Sequence, residues 1–351
     1  MALLFAPLII AQDPPSSPEL SPISLGPVDF RPSGFIELIG DIRSRASSDT
    51  INTRFASLPF GDDHTQIIGS PGHSRVALHG DIELWKGVLT GYIEADFLQP
   101  RGQTPWRWRQ FWGEYRIGKW RVLGGQAWSL LRPNRVGLNS ESALMNTLAI
   151  EPAYHIGLLG LRREQVRLTY DITANSHAAV ECESGGKYLA KFAQDRGNGA
   201  HWELIAFAGT RGRRGGAVNH ILPVRRWLRV VGEVGAGRGL GPEALGILPF
   251  RGEALTVLEG VELPLKHGWL VWGYGGFVRG WHTTVMSDNR LEQQWTAGAS
   301  RTFYEGKFGK YWIGAQASQA ARSIWGGPQA DLTYYMASLR LEMPRYASRR
   351  P

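Results

Sequence analysis

Residues 75–97 read Arg75-Val76-Ala77-Leu78-His79-Gly80-Asp81-Ile82-Glu83-Leu84, then Trp85-Lys86-Gly87, then Val88-Leu89-Thr90-Gly91-Tyr92-Ile93-Glu94-Ala95-Asp96-Phe97. Side chains of an extended chain point alternately to its two faces. Val76, Leu78, Gly80, Ile82 and Leu84 therefore oppose Arg75, Ala77, His79, Asp81 and Glu83. After a short turn, Leu89, Gly91, Ile93, Ala95 and Phe97 oppose Thr90, Tyr92, Glu94 and Asp96. One face is apolar and the other ionic, twice in succession, which reads as a β-hairpin with two very different surroundings.

The same period recurs outward in both directions. Ile36, Leu38, Gly40 and Ile42 alternate with Glu37, Ile39, Asp41 and Arg43. Near the end, Tyr335, Ala337, Leu339, Leu341 and Met343 alternate with Tyr334, Ser338, Arg340 and Glu342. Strands are expected at 34–43, 74–84, 88–98, 106–117, 120–129, 163–171, 176–183, 186–195, 200–210, 214–223, 226–237, 252–264, 267–281, 290–304, 308–322 and 331–343. That is about sixteen strands of about eleven residues, the length a tilted strand needs to cross a bilayer.

Connections after even-numbered strands are short, as at Trp85 to Gly87, Gly118 to Lys119, Val224 to Arg225 and Glu305 to Lys307. Those after odd-numbered strands are often long: Ser44 to His73, Leu130 to Arg162, Arg238 to Arg251 and His282 to Asn289. Two odd connections, near Ser184 and Arg211, are short. Short turns at one rim and long loops at the other describe an all-β transmembrane antiparallel barrel with short periplasmic turns and long extracellular loops. Periodicity alone does not say whether the apolar face meets lipid or, as in a soluble sandwich, a core. Two features favour lipid. The apolar face uses small residues freely (Gly80, Ala297, Ala299, Ala315, Ala317), and tryptophans gather at strand ends (Trp85, Trp106, Trp120, Trp128, Trp227, Trp269, Trp281, Trp325), where the headgroup level favours amphipathic rings.

The chain has 351 residues, 43% hydrophobic and 20% charged, with 39 basic against 31 acidic side chains and one cysteine. Such a chain can bury a core, so wholesale disorder is excluded. A lone Cys182 excludes an internal disulfide and a cysteine-rich zinc site. Residues 1–11 form an apolar block read as an export signal, although the basic n-region of such signals is missing, with no Lys or Arg before Arg31. Residues 12–33, with Pro14, Pro15, Pro18, Pro22 and Pro27, read as a proline-rich linker, 34–343 as the barrel, and 344–351 as a basic tail.

If the ionic faces line a lumen, the channel-lining candidates are Arg43, Arg75, Arg107, Arg109, Arg163, Arg167, Lys191, Arg229, Lys310 and Arg340, with Lys187 and Arg322 beside them. A bulge near Phe111 would reset the strand carrying Arg107 and Arg109. Acidic candidates are Glu37, Asp41, Asp81, Glu83, Glu94, Asp96, Glu233 and Glu292. Two readings stand side by side: a charge-balanced lumen that only holds water, and a field favouring small anionic solutes. The loop after the fifth strand carries Leu144, Met145, Leu148 and Ile150, so it either folds inward to narrow the pore or caps the barrel from outside.

The run Gly124-Gly125-Gln126-Ala127-Trp128-Ser129 resembles an element of the DcaP-like outer-membrane porins. Gly91-Tyr92-Ile93-Glu94-Ala95-Asp96-Phe97, Arg109-Gln110-Phe111-Trp112-Gly113-Glu114, Gln165-Val166-Arg167 and Ala337-Ser338-Leu339-Arg340 are similar to further segments of that family. The resemblance implies a homotrimer of sixteen-stranded barrels in the bacterial outer membrane, in contact with its lipid, passing small anions such as dicarboxylates. It carries over Arg109 and Arg167 as lumen cations. No heptad pattern precedes Gly34, and Pro344 with a basic tail follows the last strand in place of a terminal aromatic.

Other chemistry finds little support. Asp62, Asp63 and His64 resemble the pairs that activate water in barrel proteases, but such a site needs a second acidic pair on a facing loop, and only Glu141 is near. With His73 they have no fixed ligand geometry, so no metal site is expected. Arg211-Gly212-Arg213-Arg214-Gly215-Gly216 is one short basic turn, and no nucleic-acid partner is expected from it. Gly237-Arg238-Gly239-Leu240-Gly241 precedes no helix and holds no dinucleotide. The reading is a passive porin with no catalytic residue and no cofactor; the alternative is a barrel with a loop-borne hydrolase or an adhesive, structural role.

Overall fold

A computed structural model describes residues 19–347 except 49, 62–63, 99–105, 142–146, 152–154, 241–242, 244–251 and 282–287. The expected export signal therefore lies outside the described residues, as do Asp62, Asp63, Leu144 and Met145.

Sixteen strands form the wall: β1 Val28–Arg43, β2 in two pieces (Gln66–Ser70 and Arg75–Leu84), β3 Gly87–Asp96, β4 Arg107–Ile117, β5 Trp120–Trp128, β6 Arg162–Thr173, β7 Ser176–Glu183 and β8 Lys187–Asp195. The second half comprises β9 His201–Gly209, β10 Arg213–Arg225, β11 Leu228–Arg238, β12 Glu253–Pro264, β13 Trp269–Trp281, β14 Asn289–Gly306, β15 Gly309–Ile324 and β16 Gln329–Glu342. Every strand is antiparallel to its sequence neighbour, and β16 pairs back on β1, from Tyr334↔Arg43 to Glu342↔Phe35. Closure removes the sheet edge, which a bilayer would leave without hydrogen-bond partners. Both pieces of β2 lie on β1, through Ile39↔Ser70 and Phe35↔Arg75, with residues 71–74 bulging between them.

The linker expectation needs correcting at its end. The barrel begins at Val28, and Ile23–Leu25 already pairs with Val28–Phe30. Pro32 fits inside β1 because residues 31–34 pair only with β2, while the pairing to β16 starts at Phe35. A proline has no ladder N–H to lose on such an open edge. At the other end, the tail returns to this region, with the Leu20 N–H donating to Arg345 O and the Ala347 N–H to Leu20 O.

The two faces of the wall settle which way it is turned. Ile36, Leu38, Ile42, Val166, Val180, Leu204, Trp295, Ile313 and Tyr335 point outward and are exposed. Glu37, Asp41, Arg43, Glu94, Arg109, Glu203 and Glu233 point inward and are buried. Polar inside and apolar outside is the inverse of a soluble sandwich. Trp85, Trp120, Trp227 and Trp269 stand exposed at the short-turn rim, as a girdle requires. Trp128 does not join them. It is buried, with the Arg132 and Arg162 guanidiniums 4.6 and 5.1 Å from its ring centroid. The chain turns inward directly after it, so strand-end position misreads its surroundings.

Candidate functional site: the lumen

The described residues of 129–161, loop 3, enter the lumen and lie along its inner wall. The Leu130 N–H donates to Glu181 Oε1 on β7, the Asn134 N–H to Glu203 on β9, and the Gly137 N–H to Asp195 on β8. The Arg135 guanidinium reaches across to Glu262 on β12, with bonds of 2.9 and 2.6 Å to the two carboxylate oxygens. At Glu141 the loop meets β2, where His79 Nε2 lies 2.8 Å from its carboxylate. It returns past β15, β14 and β11: the Ile150 N–H donates to Gln316, the Ile156 N–H to Gln294 and the Leu159 N–H to Glu233. Glycines permit the closest approach. A Cβ on Gly157 would stand 2.1 Å from Val257 O, and one on Gly276 1.9 Å from Ile156 O. Of the two expected paths for this loop, the described residues follow the inward one.

Loop 1, in its described residues between 44 and 61, also turns inward, which sequence reasoning missed. Ile51, Phe55 and Leu58 are buried, Arg43 Nη2 donates to Ile51 O, and Arg322 Nη1 donates to Leu58 O. Their three- and four-residue spacing was the available signal. His64 lies in this loop, and its sequence neighbours Asp62 and Asp63 lie outside the described residues.

The ten channel-lining candidates occupy positions on the inward face of their strands, and eight of them fall into two groups. Arg43, Arg109, Arg167 and Lys191 are sealed in the wall. Arg43 pairs with Asp41 at 2.5 Å, Arg109 with Glu94 and Asp96, Arg167 with Glu181, and Lys191 with Glu203. Arg109 is the extra residue of a bulge opposite Glu94 and Ala95, so it and Gln110 both turn inward. That bulge is the one expected near Phe111. Loop 3 covers Arg167, which donates to Ser140 and to Trp128 O. These four line the barrel wall and not the open bore, because each guanidinium or ammonium is spent on a carboxylate and then roofed by a loop or bulge.

Arg75, Arg107, Arg163 and Arg340 form the second group, together with Arg31, which sequence reasoning had placed in the linker. In each case the guanidinium is more exposed than the wall carboxylate behind it, although the longer contact of Arg340 with Glu342, at 3.9 Å, runs the other way. The Arg107 side chain is 28% exposed and Asp96 behind it 1%; Arg340 is 15% exposed and Glu37 0%. The same order holds for Arg31 with Asp81, Arg75 with Glu94 and Arg163 with Glu243. Carboxylates at the wall hold these guanidiniums forward. Phe35 is flanked by Arg340 and Arg75, at 4.2 and 5.3 Å from its ring centroid, which stiffens this face further. Arg229 and Lys310 are the second residues of β11 and β15, close to the short-turn rim. Lys310 stands 3.8 Å from Glu305.

No family model and no curated protein matches the sequence. Solved structures do match in three dimensions. The outer membrane channel DcaP of Acinetobacter baumannii superposes with a TM-score of 0.76 at 16% identity, over 92% of this chain and 100% of that one. An anion-selective porin from Comamonas acidovorans gives 0.63 at 10% identity, over 90% and 100%. OprB of Pseudomonas putida gives 0.57 at 11% identity, over 90% and 94%. The chain has the fold of outer-membrane porins, and its likeness to the DcaP channel is one of architecture.

Proposed function

We propose that this chain is a passive diffusion channel of the bacterial outer membrane for small hydrophilic solutes, that it prefers anions such as dicarboxylates, and that three copies assemble. The observation that carries the preference is the ordering of five lumen ion pairs, those of Arg31, Arg75, Arg107, Arg163 and Arg340, with guanidinium forward and carboxylate behind. A solute in the bore meets the cation first, while the carboxylates keep the total charge near balance and so prevent trapping. Guanidinium forks match carboxylate geometry, which suits dicarboxylates.

Support for assembly comes from the outer wall. Glu259 on β12 reaches over Gly232 to His220 on β10, with Nε2 to Oε2 at 3.4 Å, and a Cβ on Gly232 would collide with that carboxylate. Glu259 pairs with Gly275, which stands halfway between Trp269 and Trp281 on β13. An ionisable pair at mid-depth is costly against lipid tails. Beside it lies a groove of about 760 Å³ over Gly273, Gly275, Ala297 and Ala317, flanked by Trp295 and Tyr335. A neighbouring barrel covering this face would relieve the cost.

Swelling of liposomes containing the purified protein tests the channel reading. Entry of a small dicarboxylate faster than a diamine of equal size is expected; equal rates would remove the preference, and absence of any swelling would remove the channel.

A further inference from the structure

The lumen cations of the wall are spent on carboxylates; those of the short-turn rim are not. Seven connections make up that rim, 85–86, 118–119, 174–175, 196–200, 226–227, 265–268 and 307–308, and all lie among the described residues. Six of them carry a lysine or an arginine (Lys86, Lys119, Arg196, Arg226, Lys266 and Lys307), and none carries an acid. After β16 the chain adds Arg345. Among the described residues, none of the six turn cations has an ion pair. The acids that end two neighbouring strands are already taken. Glu305 lies 3.8 Å from Lys310, and Glu342 accepts from Trp312 Nε1 at 3.0 Å and lies 3.9 Å from Arg340.

The cations do not stand alone. Four of them adjoin an exposed aromatic in sequence, as Trp85-Lys86, Lys119-Trp120, Arg226-Trp227 and Lys307-Phe308, and Lys266 precedes Trp269 by three positions. Trp85 is 91% exposed and Phe308 62%. The two kinds of side chain also meet in space. Lys307 Nζ lies 4.9 Å from the Phe308 ring centroid, and the Arg301 guanidinium carbon 5.8 Å from that of Trp269. Lys119 Nζ lies 6.0 Å from the ring of Tyr170, which is itself 4.5 Å from the ring of Trp120.

Amphipathic rings lie readily at the headgroup level of a bilayer. A turn cation beside such a ring stands at the depth of the lipid phosphates, and a run of uncompensated cations there attracts anionic lipid. Short turns face the periplasm in outer-membrane barrels, so the leaflet concerned is the inner one. A polar cell-wall polymer could meet the cations but would leave the aromatics nothing to bury against. The pairing of both residue types therefore favours lipid.

We propose that the short-turn rim binds anionic phospholipids of the inner leaflet, each cation taking phosphodiester oxygens while the aromatic beside it lies against the glycerol and upper acyl chain. The inference rests on the barrel's place in the membrane and not on the channel reading.

The test reconstitutes the full chain into phosphatidylcholine vesicles containing a rising fraction of brominated phosphatidylglycerol, with brominated phosphatidylcholine as the reference. Quenching of tryptophan fluorescence gives the preference of the protein surface for one lipid over the other. The natural protein should prefer phosphatidylglycerol about fivefold or more, and the preference should fall at least by half in the triple variant Lys86→Gln, Arg226→Gln, Lys307→Gln. These are exposed turn positions without ion pairs, and heat-modifiable gel mobility confirms that the variant barrel is closed. Equal quenching by the two lipids in the natural protein overturns the proposal, as does a preference unchanged in the triple variant. Cosedimentation with purified peptidoglycan that the triple variant loses, without any lipid preference in the natural protein, overturns it in favour of the wall polymer. Should the triple variant not close, Lys86→Gln and Lys307→Gln are measured singly, and a preference that neither lowers overturns the proposal.

Discussion

Arg340 Nη2 donates to both carboxylate oxygens of Glu37, at 2.9 and 3.0 Å, across the seam where the last strand closes on the first. The pair joins the chain's two ends and also presents a guanidinium to the lumen. Glu37 is additionally held by Ser338 Oγ at 2.6 Å, and Arg340 lies against Phe35 and Trp312. In the proposed channel, the contact that shuts the barrel is therefore also one that gives the bore its sign.

Reversing that sign should be visible in selectivity with little loss of fold. Arg107→Glu and Arg75→Glu each place a carboxylate where a forward guanidinium stood. Both are expected to move the ion preference toward cations, and the double variant to invert it. Reversal potentials under a salt gradient check this, with heat-modifiable gel mobility confirming that the barrels are closed.

The sealed pairs should behave differently. Glu181→Gln leaves Arg167 without its carboxylate at a buried position, and losing one partner of a buried pair costs about 3–5 kcal/mol. Its midpoint in urea should fall well below that of the natural protein, while its ion preference changes little because Arg167 does not reach the bore. A large selectivity change with normal stability would place Arg167 in the open channel after all.

The wall itself was legible before any coordinates. Period-two alternation placed sixteen strands, since one face of each meets apolar and the other polar surroundings, and the register of β7 coincides with its expected span of 176–183. Which cation shows its charge was not legible. Arg109 and Arg107 share a face two residues apart, yet a bulge seals the first and leaves the second forward. Arg135 meets Glu262 from 127 positions away, and no local pattern encodes that distance. Pro27 and Pro32 hid the start of β1: Pro27 lies in the turn before the strand, and Pro32 occupies the stretch of β1 that pairs on one side only.

Loop 3 should depend on the glycines beneath it. Gly276→Ala puts a Cβ against Ile156 O, and overpacking of this kind costs about 1–3 kcal/mol. The expected outcome is a barrel that remains closed while loop 3 is cut faster by trypsin at Arg132 and Arg135. Unchanged cleavage would mean that the arm does not rest on β13.

Stability should follow the two neutral groups that loop 3 buries. Burial holds the His155 imidazole down at about 4, so its contribution is present above its ordinary 6.5 and is lost as pH falls toward 4. The Glu151 carboxyl is raised from 4.5 to about 8, so its contribution is present below 4.5 and is lost as pH rises through 8. The two slopes oppose each other between 4.5 and 6.5, and from 6.5 to 8 His155 no longer offsets the Glu151 loss. Chemical unfolding should show stability falling over that upper interval, with a shallower fall in Glu151→Gln.

The groove on the outer wall offers a test of assembly. Ala297→Trp fills it between Gly273 and Ala317 without touching the lumen. Light scattering in detergent should show trimers for the natural protein and smaller species for the variant; trimers in both would assign this face to lipid.

The most direct measurement is the reversal potential of the natural protein in a planar bilayer separating two concentrations of potassium chloride. A stable open channel whose potential carries the sign of chloride preference is the expected result. A potential of the opposite sign would contradict the ordering of guanidiniums ahead of carboxylates as the determinant of what passes.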